Sequence, residues 1–237
     1  MKYLKIICFL FLGLNGVAQK QFIVDPDAVI REITGSFSSI KVSSGLHVYL
    51  SKGEVEVLAI SATDEKYRNA IKTEIRNGVL HVFFAGEKIR NNNSGKLTVY
   101  IAYKNLEQLQ ASGASDIFIA GIMELPLLNL QLSGASQLRG QIKVDELNMK
   151  LSGASEVKLS GIVKNINIES SGASDVKSYD LTAENCNVKA SGASDVNITI
   201  TKELTANASG ASNVFYKGTG ELKVKQSSGA SSVAKVE

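Results

Sequence analysis

The sequence predicts an all-β solenoid, and three observations carry that prediction. The tetrapeptide Ser-Gly-Ala-Ser occurs seven times, with successive copies 21, 19, 19, 20, 18 and 19 residues apart. Apolar and polar residues alternate before the copies, and a polar and then an apolar residue follow each one. No helical return segment with regular Leu and Asn positions separates them. A repeat of about 20 residues with period-two alternation is typical of a single-stranded β-helix, in which each coil is strand, corner, strand.

The repeated tetrapeptide is predicted to form the corner of each coil. Its glycine supplies a positive φ, which other residues adopt only at a cost. The alanine is expected to point into the crowded corner, and the two serine hydroxyls to bond backbone groups that the turn leaves unpaired. The corners are therefore interpreted as structural. Their glycines are Gly113, Gly134, Gly153, Gly172, Gly192, Gly210 and Gly229.

The N-terminal residues 1–18 have the pattern of a secretory signal peptide. Lys2 and Lys5 precede the apolar run Ile6–Leu14, and small residues lead to a predicted cleavage site after Ala18. Cleavage removes two lysines and no acidic residue, so the formal net charge falls from +3 to +1. This near-neutral balance does not favour nucleic-acid binding. We expect an exported protein without an integral membrane span, in the periplasm, at the outer membrane surface or outside the cell.

The mature chain is predicted to form one domain. Residues 19–36 are a lead-in segment, residues 37–105 form irregular β coils that begin and cap the stack, and residues 106–237 form the regular coils. Within the cap, Ser43-Ser44-Gly45 is interpreted as a degenerate first corner.

Four further features carry local predictions. Asp64–Ile75 is expected to be a short helix, and Asn77-Gly78 is a hairpin turn. Cys186 takes an inward position and is predicted to be a buried, inert thiol. The last coil, Leu222–Val236, has no capping segment, so end-to-end association into a homo-oligomer is a further hypothesis.

The order of the N-terminal motifs resembles a known family. Val42–Leu50 (Val-Ser-Ser-Gly-Leu-His-Val-Tyr-Leu) is followed by Ile71–Ile75, by Asn77-Gly78-Val79-Leu80, by the strand Leu97–Tyr103 and then by the repeats. From about Ile33 onward this arrangement is similar to the head GIN domain family, the putative auto-transporter adhesins of Gram-negative bacteria. The resemblance implies a right-handed β-helix and an exported, adhesin-like protein, and it carries no catalytic residues.

The residues just after the corners raise the question of catalysis or metal binding. Asp175 and Asp195 lie on neighbouring predicted coils and are candidates for the carboxylate pair of a polysaccharide hydrolase or lyase. Together with Glu156 they are also candidate ligands of a weak calcium site. The alternative is that these side chains bond the turn backbone. No zinc, phosphate-loop or other cofactor motif occurs in the sequence.

The outward side chains suggest a binding surface. Four asparagines stand at identical offsets before the corners, and they form either a structural amide ladder or a face for sugar hydroxyls. Three aromatic residues are candidate exposed contacts. The preferred hypothesis is a non-enzymatic envelope scaffold that binds a glycan or an envelope protein, and the alternative is the carbohydrate-active enzyme. The candidate binding residues are Asn129, Asn148, Asn167, Asn187, Tyr179, Phe215 and Tyr216.

Overall fold

A computed structural model describes Asp25 and residues 27–86 and 96–237 of the chain. These residues form a β-solenoid of about seven turns with roughly 19 residues per turn, which confirms the predicted fold class. The predicted signal peptide, residues 1–18, lies outside the described residues.

The described residues form sixteen strands and one short helix. The N-terminal elements are β1 (Val29–Arg31), β2 (Ser39–Val42), β3 (His47–Lys52), β4 (Val57–Ser61), α1 (Glu65–Ala70), β5 (Ile71–Arg76), β6 (Val79–Phe84), β7 (Thr98–Tyr103) and β8 (Gln108–Ala111). The later elements are β9 (Asp116–Leu132), β10 (Gln137–Leu151), β11 (Glu156–Ser170), β12 (Asp175–Ala190), β13 (Asp195–Ala208), β14 (Asn213–Lys217), β15 (Glu221–Ser227) and β16 (Ser232–Lys235).

The regular coils stack in parallel register around an apolar interior. Leu147 pairs with Leu128 on one side and with Ile166 on the other, and all three are buried. Cys186 continues this column, and burial raises the pKa of its thiol, as expected for an inert side chain. Because strand residues point alternately in and out, each inward position of the repeat builds one continuous column of core contacts.

The corners differ from the sequence-based expectation in one respect. The alanines are exposed instead, and the second serine is buried in the first six repeats and half-buried, as Ser231, in the last. Ser155, for example, donates a hydrogen bond from Oγ to the carbonyl oxygen of Ser152 at 2.8 Å. A serine at the inward position bonds this carbonyl and an alanine cannot, so the hydroxyl takes the inward place.

The corner glycines serve coil stacking as well as turn geometry. Gly153 has a φ of +74°, and a Cβ placed there would collide with the backbone of Gly134 on the preceding coil. The amide of Ala154 donates to the carbonyl oxygen of Gly134 at 2.7 Å. Adjacent corners are thus joined backbone to backbone, with no space for a side chain between them.

The N-terminal strands stack in an order that differs from their order in the chain. Strands β2 and β3 lie between β6 and β7 on one side and β8 and β9 on the other, all in parallel. The amides of Ser112 and Asp116 donate to the carbonyl oxygens of Val42 and Leu46, so Ser43-Ser44-Gly45 stacks on the first repeat corner. The predicted first corner therefore exists, but it is an inner layer of the stack.

Antiparallel strands cover the N-terminal end of the solenoid. Strand β4 pairs with β7 and β1, and β5 pairs with β6 through the predicted turn at Asn77 and Gly78, whose φ values are 50° and 75°. The predicted helix Asp64–Ile75 is only half correct. Asp64 caps α1 by accepting from the amide of Lys66 at 2.7 Å, but Ile71 begins β5. Pairing with β6 overrides the helical spacing of Ile71 and Ile75, because on a strand Ile71 is buried and Ile75 packs half-buried against the core.

Candidate ligand-binding groove

A groove runs along the solenoid beside the corners and encloses about 940 Å³. We call it the corner groove. One column of lining residues stands two positions before each corner and comprises Lys41, Gln110, Gln131, Lys150, Glu169, Lys189, Asn207 and Gln226. A second column is the first serine of each repeat and comprises Ser112, Ser133, Ser152, Ser171, Ser191, Ser209 and Ser228.

The register of the strands makes the first column continuous. Each member pairs with the next across neighbouring strands, from Lys41 opposite Gln110 to Asn207 opposite Gln226. Strands in a sheet are separated by about 4.8 Å, so eight rows extend over about 34 Å. The groove is therefore long, and each coil contributes one row of side chains to its lining.

The serine column presents hydrogen-bond acceptors to the groove. Ser171 donates from Oγ to the carbonyl oxygen of Leu151 at 3.2 Å, and Ser112 donates to that of Val42 at 3.4 Å. A hydroxyl has one proton and two lone pairs, so a hydroxyl that donates to the preceding coil keeps acceptor capacity for a ligand.

Charged residues occupy the middle of the groove. Glu169 lies within 3.2 Å of Lys150 and 3.7 Å of Lys189, which are on the coils either side of it. The hydrogen bond from Lys150, and then the charge of Lys189, hold the pKa of Glu169 below its usual value. The carboxylate is thus ionised at neutral pH and bridges the two lysines.

The four predicted asparagines form a ladder beside the groove. Asn148 donates from Nδ2 to Oδ1 of Asn129 at 3.1 Å, and Asn167 donates in the same way to Asn148 at 2.9 Å. Asn187 is in register with Asn167. Asn129, Asn148 and Asn167 thus bond one another along the stack, as a structural ladder requires. They are not among the groove-lining residues, and their role in ligand binding stays a prediction.

The predicted aromatic contacts divide into two groups. Tyr216 is only 6% exposed and packs in the core, so its assignment as an exposed contact is wrong. It alternates inward with Val214, a position that the period-two pattern already indicated. Tyr179 and Phe215 are half-buried on the outer surface. The hydroxyl of Tyr179 donates to Oδ1 of Asn197 at 3.0 Å, and the ammonium of Lys217 lies 5.2 Å from its ring centroid.

The carboxylates after the corners are engaged by neighbouring side chains. Lys177 lies 2.7 Å from Glu156 and 3.0 Å from Asp175, and its hydrogen bond lowers the pKa of Glu156. Asn213 donates to Asp195 at 2.9 Å. Across the described residues no three His, Cys, Asp or Glu side chains converge as a metal site needs. Strand register places Glu156 beside Asp175 and Asp175 beside Asp195, and a calcium site at these residues stays a prediction.

Comparison with known proteins identifies the family. A family model for the putative auto-transporter adhesin, head GIN domain, matches residues 36–220. The chain belongs to this family. The resemblance found in the N-terminal motifs is thereby confirmed, and the head GIN domain is adhesin-like by family. None of the curated proteins is significantly similar to it in sequence.

Solved structures share the fold of this head GIN domain. A putative adhesin from Bacteroides fragilis aligns with a TM-score of 0.80 at 18% identity, covering 88% of this chain and 97% of that one. A putative adhesin from Parabacteroides merdae gives 0.68 at 19% identity, covering 89% and 97%. A putative lipid binding protein from Parabacteroides distasonis gives 0.66 at 21% identity, covering 89% and 96%. At these identities the likeness concerns the fold.

Sequence reasoning missed the corner groove and an aromatic stack on the outer surface. Tyr49 stacks between Tyr100 and Phe118, with ring centroids 5.3 Å and 5.1 Å apart. The strand register that brings these rings together depends on the N-terminal stacking order, which the local pattern does not contain. The sequence does contain a sign of the groove, because the position two before each corner is polar in every coil.

The described part of this head GIN domain contains no helix with the length and apolar character needed to cross a membrane.

Proposed function

We propose that this head GIN domain is an exported, non-enzymatic scaffold that holds an extended glycan chain in the corner groove. The observation that carries the proposal is the groove itself, in which every coil from Lys41 to Gln226 presents one polar outward side chain beside the apolar residues of the floor. Solenoids commonly bind along such extended surfaces. The rise per coil of about 4.8 Å is close to the length of one sugar in an extended glycan, so each coil meets one sugar.

The chemistry of the groove favours a glycan over an extended peptide. A peptide that binds as an added strand needs free backbone N–H and C=O groups at a sheet edge. In the groove floor these groups are already paired between coils, as for the amide of Ser152 with the carbonyl oxygen of Leu132 at 3.0 Å. The side chains that remain, serine hydroxyls and the amides of Gln110, Gln131 and Gln226, suit sugar hydroxyls.

The engaged carboxylates support binding without catalysis. Glycoside cleavage by a carboxylate pair needs one acid held protonated and both groups directed at the substrate. Asp175 is held by Lys177 and Asp195 by Asn213, and neither aspartate lines the groove. Export is supported by the adhesin family and by the predicted signal peptide that ends at Ala18.

The proposal is tested by screening the mature protein, residues 19–237, on a glycan array and repeating every hit with two matched variants. Gln131→Trp places a large ring in the groove, whereas Gln141→Trp makes the same change at an exposed glutamine of β10 outside it. Neither glutamine is part of the core, so both variants are expected to fold. We expect Gln131→Trp to abolish glycan binding and Gln141→Trp to preserve it.

Other results would refute parts of the proposal. Glycan binding that survives Gln131→Trp places the ligand elsewhere on the surface. Release of shortened products from a bound glycan makes the protein an enzyme. No glycan binding in any format, with capture of a protein that is lost in Gln131→Trp, changes the ligand class.

A further inference from the structure

The corner groove carries an excess of positive charge, although the mature chain is nearly neutral. Among the described residues, its lining contains three lysines, Lys41, Lys150 and Lys189, and one acidic residue, Glu169. Lys150, Lys189 and Glu169 have side chains that are 64%, 62% and 49% exposed, so all three are accessible to a ligand. The groove thus attracts an anionic chain more strongly than the rest of the surface does.

The spacing of the lysines adds a geometric constraint. Lys150 and Lys189 occupy the same position two coils apart, with Glu169 on the coil between them. Two coils correspond to about 10 Å along the groove. In an extended β-1,4-linked chain successive sugars are turned over, so substituents on one side recur at every second sugar. A chain with one sugar per coil therefore repeats its carboxylates at the lysine spacing.

We propose that the corner groove selects an acidic glycan, a 1,4-linked chain of uronic acid residues whose carboxylates pair with Lys150 and Lys189. This inference rests on the proposed function and names the ligand class of the same site. The intervening sugar turns its carboxylate away from the groove and presents hydroxyls to Glu169. A neutral glycan of the same linkage forms the hydroxyl contacts but leaves both lysines without their anionic partners.

Substitutions of Glu169 and of the two lysines are expected to change the affinity for an acidic glycan in opposite directions. In the free protein Glu169 bridges both lysines, at 3.2 Å and 3.7 Å, and so competes with a ligand carboxylate. Glu169→Gln removes both the competition and the repulsion. Exposed charge pairs are individually weak, so a threefold gain in affinity for the acidic chain is about what its loss provides.

The experiment compares oligomers of β-1,4-mannuronic acid and β-1,4-mannose of equal length by titration calorimetry with the mature protein. We expect the acidic oligomer to bind more tightly and to lose affinity as salt rises. Lys150→Gln with Lys189→Gln weakens its binding by about tenfold, and Glu169→Gln strengthens it by about threefold. Lys158→Gln and Glu146→Gln, exposed and outside the groove, are the matched controls and leave it unchanged.

Two results would overturn the acidic-glycan inference. The two oligomers could bind equally, or the affinity for the acidic oligomer could be unchanged by the paired lysine substitutions. Either result shows that the groove does not select its ligand by charge. In either case, glycan binding that is still lost in Gln131→Trp leaves the proposed function standing. Absence of all glycan binding refutes both.

Discussion

At the scale of single residues, the second serine of each repeat closes the corner from inside. Ser136, Ser155 and Ser174 are at most 1% exposed, and each donates to the carbonyl oxygen of the serine three positions earlier. A hydrogen bond of this kind contributes about 0.5–1.5 kcal/mol to stability. The same small hydrogen bond, repeated once per coil, therefore contributes to the stability of the whole stack.

The corner serine predicts a clear asymmetry between neighbouring positions. We expect Ser155→Ala to lower the free energy of unfolding by about 1 kcal/mol, because it removes the hydrogen bond to the carbonyl oxygen of Ser152. Ala154→Ser changes the exposed neighbour and is expected to have almost no effect. Urea unfolding followed by circular dichroism measures both. Equal losses in the two variants would contradict the inward role of the second serine.

At the scale of the element, a side chain placed between adjacent corners is predicted to lower the stability of the protein substantially. Gly153→Ala combines a left-handed φ of +74° with a collision against Gly134. Gly78→Ala has nearly the same φ, +75°, but open space around it, so it isolates the conformational cost. We expect Gly78→Ala to cost about 1–2 kcal/mol, and Gly153→Ala to cost clearly more.

Thermal unfolding of the two glycine variants separates the two effects. A larger drop in Tm for Gly153→Ala attributes the difference to coil stacking. If the two variants lose the same stability, the corners tolerate a methyl group between coils, and only the turn geometry requires glycine.

The elements also show what the sequence contained and what it lacked. Period-two alternation predicted the inward columns, because burial on one face of a strand imposes it directly. The helical spacing of Ile71 and Ile75 led to a predicted helix that is too long, since the same residues also suit a hairpin strand opposite β6. The position of β2 and β3 between later strands was not predictable, because edge pairing depends on which strands meet in space and leaves no periodic trace.

At the scale of the molecule, ion pairs between coils make stability depend weakly on pH. Lysines lower the pKa of Glu124, Glu156 and Glu169 from the usual 4.5, and the carboxylates raise the pKa of Lys143 and Lys177 from 10.5. The carboxylate contribution is complete above pH 4.5 and is lost as pH falls through the lowered values. The lysine contribution is complete below pH 10.5 and is lost as pH rises through the raised values.

We therefore expect Tm to be nearly constant between these limits and to fall on both sides. Because the pairs are solvent-exposed, the changes are expected to be small and to shrink further in high salt. Lys177→Gln removes the partner of both Glu156 and Asp175, so its Tm falls less steeply in acid than that of the wild type. Parallel acid curves for the two proteins would show that these pairs do not contribute.

The groove belongs to this scale as well, and only part of it was predictable. Polar residues two positions before the corners are visible in the sequence, and the asparagine ladder was a stated alternative. The concave shape was not visible, because it depends on how the coil turns between Leu151 and Ser155 and how closely the coils stack there. The inward direction of Tyr216 was available from its alternation with Val214, but the aromatic side chain favoured a surface role.

The placement of β2 and β3 between later strands has a consequence for the way the chain folds during synthesis. The N-terminal strands leave the ribosome first, but β6 and β7 supply one neighbour and β8 and β9 the other. Folding therefore cannot start at the N-terminus and proceed coil by coil. The second edge of this first-made segment stays unpaired until about residue 119, the last partner of β3 in β9, has been added. Only after β2 and β3 are paired on both edges can each later coil pair with the completed coil before it.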